Sequence, residues 1–154
     1  MVEAKSTDKD LSSFQKILLV CLTIFLVIVL FFFRNGFKEK AILDQLAQKS
    51  ILPEQALSNG KPTVLEFYAD WCEACKEMAP DMIDLKNINI NKVDVVLLNV
   101  DNTRWIDLIN KYDVNGIPQL IFFDGNGDYQ GLSLGVRKYN ELEGIFSALI
   151  DNSK

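Results

Sequence analysis

A chain of 154 residues has room for one domain of ordinary size and little else. Its net charge of −5, from 16 basic and 21 acidic residues, excludes the basic footprint that nucleic-acid binding requires. With three cysteines and no histidine, it also lacks the four-ligand set of a structural zinc site.

Residues 1–16, MVEAKSTDKDLSSFQK, read as a polar tail in which Lys5, Lys9 and Lys16 balance Glu3, Asp8 and Asp10. Residues 17–33, ILLVCLTIFLVIVLFFF, carry no charge and, apart from Thr23, no strong polar group. As a helix this run is about 25 Å long at 1.5 Å per residue, at the short end for a bilayer core of about 30 Å. Lys16 and Arg34 flank it and can snorkel outward. The run is read as a single-pass transmembrane anchor. A cleaved signal peptide would have a shorter apolar stretch and a small-residue cleavage site, and Phe31-Phe32-Phe33-Arg34-Asn35-Gly36 offers none. A helix apolar on every face would also overfill the core of so small a domain. Basic residues flank the run on both sides, Arg34, Lys38 and Lys40 following it, so the positive-inside rule sets no orientation.

Residues 34–59 read as a connector that begins at Asn35-Gly36. It carries a short amphipathic helix through Ala41, Ile42, Leu43, Leu46 and Ala47, then loops marked by Pro53 and Asn59-Gly60-Lys61-Pro62. Residues 60–154 alternate between strands and helices. Val64 to Tyr68 is a buried-type strand, and Cys72 to about Leu85 a helix that Pro80 should kink. Val93 to Val100 is a second apolar strand. Trp105, Leu108, Ile109 and Tyr112 stand at helical spacing behind Asn102, a candidate cap. Leu120 to Phe123 is a third strand, and Gly125-Asn126-Gly127 turns into a fourth, from about Tyr129 to Leu134. Leu142, Ile145, Phe146 and Leu149 form a closing helix. The order β-α-β-α-β-β-α predicts an α/β fold, a central mixed sheet flanked by helices.

Cys72 and Cys75 stand two residues apart in YADWCEACKEMAP, while Cys21 is stranded in the apolar run. Covalent haem attachment needs a histidine directly after the second cysteine, and Lys76 stands there. A permanent staple across so short a loop would return little stability. A redox pair uses the same spacing: one thiolate attacks a partner disulfide and its neighbour resolves the mixed species. Cys72 falls where a strand ends and a helix begins. Unpaired backbone N–H groups and the positive end of the helix dipole would stabilise its thiolate there.

This stretch resembles the thioredoxin active site. Val64-Leu65-Glu66-Phe67-Tyr68-Ala69-Asp70, Trp71-Cys72-Glu73-Ala74-Cys75-Lys76 and Pro80 match the family's strand, turn and kinked helix. Leu98-Asn99-Val100-Asp101, Tyr112-Asp113-Val114, Gly116-Ile117-Pro118, the Gly125-Asn126-Gly127 hairpin and Gly135 extend the likeness over roughly residues 60–150. The resemblance implies a thioredoxin fold, no cofactor, and a redox-active Cys72–Cys75 disulfide. Cys72 would attack and Cys75 resolve. Pro118 would be a cis-proline, Ile117 would offer backbone hydrogen bonds to an extended substrate segment, and Trp71 would pack beside the sulfurs. Glu66 matches the family's buried acid, usually Asp, which relays a proton for the resolving cysteine. The lysine that often accompanies that acid is replaced by Leu97, so burial should raise the Glu66 pKa. Glu73 places a negative charge beside Cys72 and opposes the dipole, which points to a reductant or modest isomerase rather than a strong oxidant.

Ala56-Leu57-Ser58-Asn59-Gly60-Lys61-Pro62, EFYADWCEACKEMAP and Val100-Asp101-Asn102-Thr103-Arg104-Trp105, with the anchor, resemble the membrane-tethered thioredoxin-like proteins of cyanobacteria and chloroplast thylakoids. That group is associated with cytochrome b-f complex assembly. The implied job is reduction of client disulfides, apocytochromes among them, on the lumenal or periplasmic side of a thylakoid or bacterial plasma membrane. Electrons would come from a polytopic membrane thiol donor. A general extracytoplasmic reductase or isomerase, and a noncatalytic docking module, are the alternatives. Trp105 is expected in the core, and Asp70, Glu73 and Glu77 on a solvated helix face.

Overall fold

The strand Thr63–Tyr68 (β1) is buried along its whole length, as a continuous apolar run should be when it is covered on both faces. This computed structural model describes residues 13–153, with side chains described for 13–32 and 42–153; most of the polar tail therefore lies outside the described residues. β1 pairs in parallel with Asp94–Asn99 (β2) and antiparallel with Gln119–Phe123 (β3), and β3 pairs antiparallel with Tyr129–Leu134 (β4). The sheet order is β2-β1-β3-β4, the mixed sheet expected.

Two compact units divide the chain, residues 1–37 and 38–154. The first helix, α1, is Ser13–Gln48. Within it Ser13–Phe32 is long and apolar enough to cross a membrane. Thr23 satisfies its own hydroxyl there by donating to the Val20 carbonyl at 2.8 Å. The connector expected to begin at Asn35-Gly36 is helical from its start, the backbone staying helical through both residues. One glycine costs about 1 kcal/mol in a helix interior, too little to stop a helix with strong formers on either side.

In the second unit, one face of the sheet is covered by the last turns of α1, by Glu73–Ile88 (α3) and by Tyr139–Asp151 (α5), which bury Leu43, Leu46, Met78, Met82, Leu142 and Phe146 against Val64 and Leu120. The other face packs Leu65, Phe67, Val96, Leu98 and Ile121 under Pro53–Ala56 (α2) and Ile106–Lys111 (α4). Trp105 is half-buried against this second core, as expected, with the Arg104 guanidinium 4.7 Å over its ring. A 3-10 turn, Thr103–Trp105, precedes α4, and Asn102 caps it by accepting the Arg104 N–H at 3.0 Å. Lys138 caps the start of α5, and its N–H donates to the Glu141 carboxylate at 3.0 Å.

The β3–β4 turn needs its second glycine. Gly127 has φ +80°, and an added Cβ would fall 2.6 Å from the Leu57 carbonyl oxygen. Asp124 closes the same turn by accepting the Asn126 and Asp128 N–H groups at 2.9 and 3.0 Å.

Candidate active site

β1 ends at Tyr68, and four residues later Cys72 becomes the N-cap of α3, in extended conformation at φ −79° and ψ 103°. Its sulfur accepts the Cys75 N–H at 3.1 Å, the position a serine or aspartate side chain takes at other helix starts. The turn is held by the Cys72 N–H, which donates to the Ala69 carbonyl at 3.1 Å. Cys72 and Cys75 are joined as a disulfide with Cα atoms 5.3 Å apart. Cys75 is fully buried, whereas Cys72 retains 6% exposure. The pair is thus asymmetric: only Cys72 has an edge open to solvent. α3 continues through Pro80, which has no N–H to return to the preceding turn.

The Ile117–Pro118 peptide bond is cis, and Pro118 is buried at the head of β3. Its carbonyl accepts the Gly135 N–H at 2.8 Å, tying the residue to the end of β4. Ile117 is half-buried and packs against the cluster that contains both cysteines.

Trp71 is not a core residue: it is 64% exposed, and its indole Nε1 donates to Asp101 Oδ2 at 2.9 Å. Asn99 completes the arrangement, its Oδ1 accepting the Asp101 N–H at 2.9 Å and its Nδ2 donating to Asp70 Oδ1 at 3.3 Å. This polar brace was not anticipated from the sequence. Its origin is topological: β1 and β2 are parallel neighbours with Tyr68 opposite Asn99, so the loops that leave them emerge side by side.

Glu66 lies in the middle of β1 on the face covered by α3, fully buried, and neither carboxylate oxygen has a hydrogen-bond partner among the described residues. Burial alone pushes its pKa from 4.5 up to about 8. Glu73, between the cysteines, is exposed and paired with Lys76 at 2.7 Å; Asp70 and Glu77 are exposed too, as a solvated rim should be. Among the described residues no group of three His, Cys, Asp or Glu side chains comes together to hold a metal ion.

A parallel–antiparallel mixed sheet, a cysteine pair opening the helix after the central strand and a cis-proline before the third strand define a thioredoxin-fold protein with a dithiol–disulfide centre. The thioredoxin family profile matches residues 31–148, and the chain belongs to that family. It is 47% identical over 93 residues to the thioredoxin-like protein HCF164 of Arabidopsis thaliana chloroplasts, covering 60% of this chain and 36% of that protein. It is 41% identical over 108 residues to a homologue of the thiol:disulfide interchange protein TxlA from Synechocystis, covering 70% and 60% of the two chains. To TxlA of Synechococcus elongatus it is 34% identical over 140 residues, covering 91% and 73%. The matched region thus spans about a third of the chloroplast protein's length and most of the Synechococcus protein's.

Proposed function

We propose that the protein is a membrane-tethered thiol–disulfide oxidoreductase that reduces disulfides of extracytoplasmic client proteins. The observation that carries this reading is the placement of the Cys72 sulfur at the N-cap of α3, accepting a backbone N–H, with an exposed edge, while its partner is sealed beneath it. In the reduced protein the same N–H and the helix dipole favour thiolate at Cys72.

The Cys72 thiolate attacks one sulfur of a client disulfide. The S–S bond breaks, a mixed disulfide forms, and the client's other sulfur leaves as a thiolate that takes a proton. Cys75 then loses its proton and attacks Cys72; the Cys72–Cys75 bond forms and the second client thiol is released. Two electrons have passed to the client, and a membrane thiol donor must restore them. Glu66 lies on the sheet face beneath α3; in its ionised form, which burial makes a stronger base than a free carboxylate, it can take up the Cys75 proton. Ile117 and Pro118 offer backbone to the client segment, and Trp71 forms an exposed wall of the docking surface.

The apolar segment Ser13–Phe32 supports tethering, which raises the concentration of the domain near membrane-bound donors and clients. The likeness to the thylakoid and cyanobacterial tethered proteins favours apocytochromes as clients and a lumenal or periplasmic site of action. Full-length Cys75→Ala, expressed in its native membrane, tests this. Clients caught as mixed disulfides on Cys72 and identified by mass spectrometry should include apocytochromes and a membrane thiol protein. A catch of soluble cytoplasmic enzymes overturns both topology and job.

A further inference from the structure

Between the two cysteines stands a carboxylate. Glu73 is the first residue of α3, directly after the capping sulfur, and a free negative charge there opposes thiolate formation at Cys72. It is not free. Lys76 Nζ lies 2.7 Å from Glu73 Oε1, one turn along the helix. The two side chains are unequal partners: that of Lys76 is 13% exposed and that of Glu73 82%. The cation is therefore the packed, fixed member and the carboxylate the one drawn to it.

Two further carboxylates stand near the turn, each hydrogen-bonded to a neutral donor rather than to Lys76. Asp101 accepts the Trp71 indole N–H, and Asp70 accepts from Asn99. Glu66 faces the same helix from β1 but is protonated below pH 8. Tyr68 carries no charge in this range, burial having raised its pKa further. Glu77, on α3 itself, lies beyond the cysteine turn and is exposed.

We propose that Lys76 is a positioning residue for Cys72: by holding the Glu73 carboxylate in an ion pair, it turns a lone charge beside the attacking sulfur into a short dipole. The field of a dipole falls off faster with distance than that of a single charge, so the backbone N–H and helix dipole govern the sulfur. The inference rests on Cys72 being the attacking thiolate and concerns how that thiolate is maintained.

The test uses the full-length reduced protein in detergent, with Cys21→Ser to remove the third thiol. Iodoacetamide alkylation of Cys72 is followed by tandem mass spectrometry from pH 5 to pH 9. Lys76→Met should raise the midpoint and slow alkylation below it about two- to threefold at low salt, and 1 M salt should abolish the difference, because the Debye length falls to about 3 Å. In a Glu73→Gln background, Lys76→Met should change nothing. Lys76→Arg, which keeps the cation, should retain the parent midpoint. An unmoved midpoint in Lys76→Met overturns the proposal. So does a shift that persists without the Glu73 carboxylate, which would mean that Lys76 acts on the sulfur directly, or a Lys76→Arg that behaves like Lys76→Met. A parent protein whose Cys72 has an ordinary thiol midpoint contradicts the functional reading instead, before any variant is compared.

Discussion

Glu66 on β1 stands directly opposite Leu97 on β2 in the parallel register, and Leu120 of β3 flanks it on the other side. A carboxylate between two leucines has lost its water and gained no cation. That is the physical cause of its displacement to about pH 8.

The first consequence concerns stability. Between pH 4.5 and about 8 the folded chain holds a proton on Glu66 that the unfolded chain releases. The contribution is present in full below the lower value and is lost as pH rises through the upper one. Chemical denaturation of the oxidised full-length protein in detergent, followed by tryptophan fluorescence, should show the wild type losing on the order of 4 kcal/mol relative to Glu66→Gln between pH 5 and pH 9. Parallel stability curves for the two proteins would contradict it.

Supplying the missing cation should reverse the shift. Leu97→Lys places an ammonium one strand away, where cross-strand neighbours interact. Its charge should lower the Glu66 midpoint by about 1 pH unit or more, measured by NMR titration of the side-chain carboxyl carbon. An unchanged midpoint would mean that the lysine reaches solvent instead.

The Trp71–Asp101 hydrogen bond positions an exposed indole beside the cysteine turn. Asp101→Ala should lower kcat/KM for a protein disulfide about three- to tenfold, the worth of a hydrogen bond of about 1 kcal/mol, while leaving the reduction of a small disulfide reagent unchanged. Equal losses on both substrates would assign Asp101 to the chemistry rather than to docking.

The last turns of α1 belong to the core of the domain. Leu46 is 1% exposed in the cluster that also holds Cys75. Leu46→Ala should cost about 2–4 kcal/mol in chemical denaturation. A loss under 1 kcal/mol would show that these turns pack on the domain without supporting it.

Much of this architecture is legible in the residues themselves. Apolar runs bounded by turn residues mark β1, β2 and β3, and the Gly125-Asn126-Gly127 turn marks β4, which spans Tyr129–Leu134 as expected. Burial of Glu66 is legible because the acid interrupts an otherwise apolar strand, and Asn102 because a cap has local chemistry. The uninterrupted helix through Asn35-Gly36 is not, since helix propensity at two positions is weak against their neighbours. Trp71 and Asp101 lie 30 residues apart and meet only because β1 and β2 run parallel, a relation without local signature. The Glu73–Lys76 pair has a legible spacing, but its consequence depends on which side chain is packed, and only the structure distinguishes the two.

The acidity of the Cys72 thiol decides the account most directly. In the reduced full-length protein with Cys21→Ser, the pH dependence of iodoacetamide alkylation at Cys72 should have its midpoint at least about one unit below the 8.5 of an ordinary thiol. A midpoint at or above that ordinary value would contradict the assignment of Cys72 as the attacking group.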